Sequence, residues 1–261
     1  MNDKIETVPV IGIPLYAENI SSAVRHVVST IEESSSDETW LISATGAHGL
    51  VHAQQTPEFR KLLRRFHLNL PDGKPAVWVG RWKGAKEMGR CYGPDFFATL
   101  MEASADQEIS HYLCGGAEGV ADELKKACAT KFDNQRIVGT HCPPFRPLTE
   151  DEFAQLGRDI DEAEADIVWI GISTPKQERF AAQLSECTSA SFIITVGAAF
   201  DFHIGNVRQA PTWMQEAGLE WFFRLLMEPR RLFKREMTLV SGFIYYNLKE
   251  LLTGRFFEEA M

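Results

Sequence analysis

Cysteine is scarce in this chain and poorly placed for any shared task. There are five in 261 residues (Cys91, Cys114, Cys128, Cys142 and Cys187), an odd number with no Cys-x-x-Cys pair. That pattern argues against a disulfide framework and a cysteine-based zinc site, and makes a reducing cytosol the natural compartment. Long apolar runs are missing too: none approaches the roughly 18 residues of a membrane span. The polar stretch 1–8 has no apolar centre, so no signal peptide is expected. Acids outnumber bases, 36 to 27, for a formal net charge of -9 at pH 7, so no nucleic-acid partner is expected.

Metal and hydrolase signatures are also absent. His48 and His52 stand four apart, but Gly49 replaces the Glu of a zincin, and His67 has no carboxylate companion in sequence. The single Asp-x-Asp, Asp159-Ile-Asp161, lies in an acidic helical pattern where residues two apart do not share a face. There is no Gly-x-Ser-x-Gly elbow. Neither a catalytic metal nor a cofactor is expected.

What is present is rhythm. A hydrophobic fraction of 44% is that of a globular protein with a buried core. Strand patterns at 8–13, 40–44, 68–70, 111–114, 136–141, 167–172 and 192–196 alternate with helical spacing at 20–34, 50–66, 93–102, 119–130 and 149–164. Thr149-Glu-Asp-Glu152 is a capping box for the last of these. The alternation predicts an α/β fold: a Rossmann-like, largely parallel sheet with helices on both faces, and ligands at the carboxyl ends of its strands. From about residue 211 only helical patterns remain, so we expect a core over 1–210 and a helical appendage over 211–261.

Four strand exits hold candidate chemistry. Residues 166–180, Asp-Ile-Val-Trp-Ile-Gly-Ile-Ser-Thr-Pro-Lys-Gln-Glu-Arg-Phe, read as a buried strand, a turn at Gly171 and a helix start. Thr174 is the expected N-cap and Pro175 the first helical residue, with Gln177, next to Lys176, closing a Thr-x-x-Gln box. Such a start favours an anion, although a well-capped unit without ligand explains the same residues. Tyr112-Leu-Cys-Gly-Gly-Ala-Glu-Gly119 is a second exit. Gly116 and Gly119 fit the end of a dinucleotide fingerprint whose first position is Cys114, so a nucleotide site and a plain turn both stand. Ile194-Thr-Val-Gly-Ala-Ala-Phe-Asp201 is the third, where Asp201 is placed to accept from a base or ribose, or to fix a tight turn. Asp72, in Leu-Pro-Asp-Gly after a short strand, suits either a β-turn or a general base.

The appendage reverses the chain's charge. Residues 221–255 hold seven Lys or Arg (Arg224, Arg230, Arg231, Lys234, Arg235, Lys249, Arg255) against Glu228, Glu236 and Glu250. Phe233, Met237, Val240, Ile244, Leu248 and Leu251 recur at helical spacing beside them. A basic amphipathic tail on an acidic protein suggests an anionic surface, either a membrane or a phosphate-bearing substrate. A solvated helical cap is the plainer alternative, and the apolar stripe leaves homo-oligomer formation open.

Taken in order, these blocks resemble the WecG/TagA/CpsF family of bacterial glycosyltransferases from about residue 10 to 243. The carrying pieces are Leu-Pro-Asp-Gly at 70–73, Arg90-Cys-Tyr-Gly-Pro-Asp95, Leu113-Cys-Gly-Gly116, Arg136-Ile-Val-Gly-Thr140 and Gly171-Ile-Ser-Thr-Pro-Lys-Gln-Glu178. They continue through Val196-Gly-Ala-Ala-Phe-Asp-Phe202, Arg208-Gln-Ala-Pro-Thr-Trp-Met214, Gly218-Leu-Glu-Trp221, Arg224 and Glu228-Pro-Arg-Arg231. The resemblance implies inverting, metal-independent transfer from a UDP-sugar donor to a polyprenyl-diphosphate-linked acceptor, by a cytoplasmic protein peripheral on the inner face of the membrane. It implies Asp72 as general base and Arg90 and Gln177 as active-site polar residues; we expect Gly115, Gly116, Gly171, Lys176 and Asp201 around the donor. Arg224, Arg230 and Arg231 would meet the diphosphate. One stretch departs: where many members carry Thr-x-Asn, this chain has Ala44 and Gly46, which reassigns those contacts to Thr45 or His48 and leaves the donated sugar undefined. A nucleotide-binding oxidoreductase and a non-catalytic assembly scaffold are the alternatives.

Overall fold

The computed structural model describes residues 5–33 and 38–253. Its first element is a hairpin of β1 (Thr7–Val10) and β2 (Ile13–Tyr16), separate from the main sheet. The sequence pattern predicted one strand across 8–13. Positive φ at Ile11 (41°) and Gly12 (76°) instead folds it back in a two-residue turn.

The main sheet has six parallel strands: β3 (Trp40–Thr45), β4 (Leu68–Pro71), β5 (His111–Gly115), β6 (Ile137–His141), β7 (Ile167–Gly171) and β8 (Phe192–Thr195). Their spatial order is β4-β3-β8-β7-β5-β6. Each connection is helical: α1 (Ile20–Glu33), α2 (Ala47–Gln55), α3 (Pro57–Arg65), α4 (Lys74–Trp82), α5 (Gly93–Ala103), α6 (Val120–Lys131), α7 (Glu150–Glu162), α8 (Lys176–Leu184) and α9 (Ala199–His203). The single helix expected over 50–66 is two, because Pro57 cannot donate to the first helix and starts the second. The Thr149 capping box forms as expected, with both reciprocal hydrogen bonds.

Strand residues alternate between two cores. Ile167 and Trp169 join Phe96, Phe97, Leu100 and Leu124 under α1, α5 and α6, while Val168 and Ile170 join Phe153, Leu156 and Phe180 under α7 and α8. This two-sided burial explains why the strands read as unbroken apolar runs. Trp169 is fully buried, packs edge-on against Phe97 at 4.7 Å and donates its indole N–H to His111 Nδ1 at 3.1 Å.

The connections out of β5 and β7 run in opposite directions, β5 through α6 to the β6 edge and β7 through α8 to β8. The crevice between their carboxyl ends is therefore the switch point of the sheet. The chain closes with α10 (Thr212–Glu216), α11 (Glu220–Met227) and α12 (Pro229–Thr253). One face of α12 lies on α2 and the hairpin: Phe243 joins that core, and Gly242 is close enough to Val51 that an added Cβ would stand 3.0 Å away. Lys83 Nζ meets the buried Glu250 at 2.6 Å near the helix end. The Phe233, Met237, Ile244, Leu248 and Leu251 side of α12 is exposed. Among the described residues no helix is long and apolar enough to cross a membrane.

Candidate active site

Asp72 follows β4 directly, and its backbone is held from two sides. Its N–H donates to the Thr45 carbonyl at 3.3 Å, and its carbonyl accepts from Arg90 Nε at 3.0 Å. Oδ1 of the side chain accepts the Gly93 N–H at 2.8 Å. Only glycine fits there, since a Cβ on residue 93 would stand 2.7 Å from the Val196 carbonyl oxygen. Oδ2 has no donor among the described residues, and the backbone of Gly46 passes beside it: a Cβ there would lie 3.1 Å away.

The Asp72 carboxyl keeps some solvent contact, while protein atoms crowd its other sides. That burial pushes its pKa from the ordinary 3.8 up to about 6. The Gly93 hydrogen bond and the Arg90 and Arg224 charges oppose the rise, and the Glu220 charge adds to it. The Cys91 thiol beside it is driven up to about 12 by burial and by the Asp72 charge, so it stays protonated. The result is a carboxylate that is ionised at neutral pH, basic for its type, and open at one oxygen. These are the properties a general base needs.

Arg90 links this carboxylate to the appendage. Besides holding the Asp72 carbonyl, it donates from Nη1 to Gln215 Oε1 at 3.2 Å, pairs through Nη2 with Glu220, and lies 4.0 Å over the Tyr92 ring. Arg224 is exposed one helical turn after Glu220, and its charge acts on Asp72, Tyr92 and His48. Arg230 is exposed at the start of α12; the Arg231 side chain lies outside the described part. His48 stands on α2 facing Arg235 and Glu236 of α12, and burial together with Arg235 lowers its pKa.

The exit of β7 is different. Gln177 is buried with its amide fully engaged: Oε1 accepts from Gly197 N at 3.0 Å, and Nε2 donates to Thr174 Oγ1 at 3.2 Å and Glu178 Oε1 at 3.1 Å. Glu178 also accepts from Thr174 at 2.8 Å and from Ser43 at 3.4 Å. The expected capping geometry is absent. Helix α8 begins at Lys176 with Pro175 as the preceding cap residue, and Thr174 bonds side chains rather than helix N–H groups. Thr45 points inward as well, toward Ser43 and Asn69. Lys176 is exposed at the start of α8.

The glycines lie at the switch point. Gly115 and Gly171 are register partners on β5 and β7; a Cβ on Gly115 would stand 2.6 Å from the Gly171 carbonyl oxygen, and one on Gly171 would enter the Phe200 ring. Asp201, on α9, accepts from Asn206 at 3.4 Å through its side chain and from the Val207 N–H through its carbonyl, closing its own turn. The structure thus brings together Asp72, Arg90 and Arg224 at one place and Gly115 and Gly171 at another. Sequence reasoning gave no role to Glu220, Gln215, Tyr92 or Gly93. The one available signal was Glu220 itself, an acid at the head of the basic stretch.

A parallel, Rossmann-like sheet with helices on both faces and a carboxylate of raised pKa at a strand exit defines an α/β protein with a candidate site at the carboxyl ends of its strands. The model of the glycosyl transferase WecG/TagA/CpsF family matches residues 8–256. The chain belongs to that family of glycosyltransferases.

Proposed function

We propose that this glycosyltransferase moves a sugar, with inversion, from a UDP-sugar to a saccharide carried on a polyprenyl diphosphate, and that Asp72 is its general base. The observation that carries this reading is the open Oδ2 of a carboxylate whose pKa is raised to about 6 at a strand's carboxyl end. In the step, an acceptor hydroxyl gives its proton to Oδ2 as its oxygen bonds to the anomeric carbon. The bond from that carbon to the UDP oxygen breaks, and its electron pair leaves with UDP. The donor nucleotide is assigned to the β5/β7 crevice because that is the switch point of the parallel sheet. The exposed Arg224 and Arg230 offer the positive charge that a leaving diphosphate needs in place of a metal. Among the described residues no group of three His, Cys, Asp or Glu side chains is arranged to hold a metal ion.

UDP release from a panel of UDP-sugars, with and without a short-chain polyprenyl-diphosphate saccharide, tests the reaction. Acceptor-dependent release from one donor, unaffected by chelator, is expected. Release from none, with acceptors of several saccharides, sinks the reading.

The same proposal places the appendage on an anionic membrane. Helix α12 carries a core face, an exposed apolar face and a basic face, the arrangement of a helix lying in the interface. Removing α12 would also strip a face from the core, so substitution is the better probe. Ile244→Glu with Leu248→Glu, both on the exposed face, should weaken binding to phosphatidylglycerol vesicles at least about tenfold while leaving the melting temperature unchanged. Undiminished vesicle binding would assign that face to contact between chains.

A further inference from the structure

Helix α11 is a poor candidate for docking by apolar burial, because none of its residues is fully buried. Polar contacts with Arg90 hold its start instead. Arg90 is largely enclosed, its side chain 8% exposed, and Glu220 is 20% exposed. The guanidinium donates to three acceptors in three parts of the fold: the backbone carbonyl of Asp72, the Gln215 side chain of α10 and the Glu220 carboxylate that opens α11. Gln215 is itself fixed, donating to the Ala210 carbonyl at 2.7 Å. The planar fork of Arg is suited to this: several donors at fixed angles lock the relative placement of their acceptors. Glu220 and Arg224 are four apart on α11, hence on one face of the helix. The grip on Glu220 therefore fixes the rotation of α11, and with it the direction of Arg224.

We propose that Glu220 is a positioning residue for the transfer: by gripping Arg90 it holds α11 against the core so that Arg224 faces the Asp72 carboxylate. This rests on the reading of Asp72 as the base, but the grip itself can be tested without it. The charged and titratable groups facing Asp72 are Arg90, Arg224, Glu220, Cys91 and Tyr92, and those facing Glu220 are Arg90, Arg224, Asp95, Tyr92 and Asp72. Replacing Glu220 by Gln keeps the shape and removes one negative charge from this set. Arg90 and Arg224 then act on Asp72 unopposed.

Two measurements on the full-length chain decide the matter, with Glu220→Gln and Glu220→Asp compared to the unsubstituted protein. Amide hydrogen exchange over residues 212–227 should accelerate in Glu220→Gln and return most of the way in Glu220→Asp. For transfer, kcat should fall about ten- to a hundredfold in Glu220→Gln with KM for the donor changed by less than about threefold, and the acid limb of the kcat profile should move to lower pH. Unchanged exchange would overturn the grip. Faster exchange with unchanged kcat would overturn the positioning role. A fall in kcat with an unmoved acid limb and exchange accelerated throughout the chain would assign the loss to general instability and overturn the positioning role. If Asp72→Asn transfers as well as the unsubstituted protein, the base reading fails, and the exchange result still decides whether Glu220 anchors α11.

Discussion

The exits of β4 and β7 look alike as sequence and differ as chemistry. Each is a short apolar strand followed by small or turn-forming residues, a proline and a helix: Leu-Pro-Asp-Gly-Lys-Pro in one, Ile-Gly-Ile-Ser-Thr-Pro-Lys-Gln in the other. At the β7 exit the polar groups consume one another. Gln177 has both amide hydrogens and its carbonyl paired, and Glu178 Oε1 accepts from three side chains. At the β4 exit, Asp72 has one oxygen paired and one open, with Arg90, Arg224 and Glu220 around it. A polar residue at a strand end becomes reactive when its hydrogen-bonding capacity is left incomplete in a confined setting. At the β7 exit Gln177 is fully paired and fastens two turns together, while the one unpaired oxygen, Glu178 Oε2, is sealed from solvent.

Asp72→Asn gives the largest separation between the two exits. The isosteric amide keeps the Gly93 hydrogen bond and loses the base, so transfer should fall about a hundred- to ten-thousandfold. Stability should move the other way. Because the folded protein raises this carboxyl from 3.8 to about 6, its ionised form opposes folding above pH 6, and that opposition fades as pH falls through 6 toward 4. The substituted protein should therefore be more stable at pH 7.5, by roughly 1–2 kcal/mol, or a few degrees in Tm, and show no gain at pH 4. For the unsubstituted protein, kcat/KM should drop as pH falls below about 6. Activity that persists in Asp72→Asn would remove the distinction between the exits.

Gln177→Ala asks whether the β7 exit is structural. Removing the amide leaves the Gly197 N–H without its partner and takes one of three donors from Glu178 Oε1, a loss of roughly 1–3 kcal/mol, read as a Tm several degrees lower. Activity at a temperature where the variant is folded should fall less than about tenfold. A variant with unchanged Tm and no transfer would instead put Gln177 in contact with substrate.

Much of the fold could be read from the sequence because the strands of a parallel sheet are buried on both sides. The run at 167–171 and its neighbours therefore stand out as apolar blocks between helical spacings. The misreadings have local causes: positive φ at Ile11 folds an apolar stretch into a hairpin, Pro57 divides a helix, and the turn signal around Gly73 concealed α4. Asp72 could be picked out as a candidate because it ends a strand. Its environment could not, since Glu220 and Gln215 reach Arg90 from 130 and 125 residues away in sequence. No spacing rule records such a pairing. Capping patterns misled at Thr174 because its hydroxyl accepts from the Gln177 side-chain amide, and donates to Glu178, instead of accepting a helix N–H.

The smallest expected effect probes the open oxygen itself. Gly46 has φ of -93° and ψ of -175°, a conformation alanine adopts without strain, so Gly46→Ala changes little but the space beside Asp72. Its Cβ would stand 3.1 Å from Oδ2, and the carboxylate must yield by a few tenths of an ångström. A displacement of a full ångström at a reacting group costs about a hundredfold, so a shift this small should lower kcat by roughly threefold, with little change in Tm. The unpaired oxygen at the β7 exit, Glu178 Oε2, is closed off from solvent, so it offers no counterpart to the open Asp72 oxygen. A Gly46→Ala protein with kcat and acid limb both unchanged would mean that Oδ2 does not receive the proton. The base would then have to work through Oδ1, at the expense of its bond to Gly93.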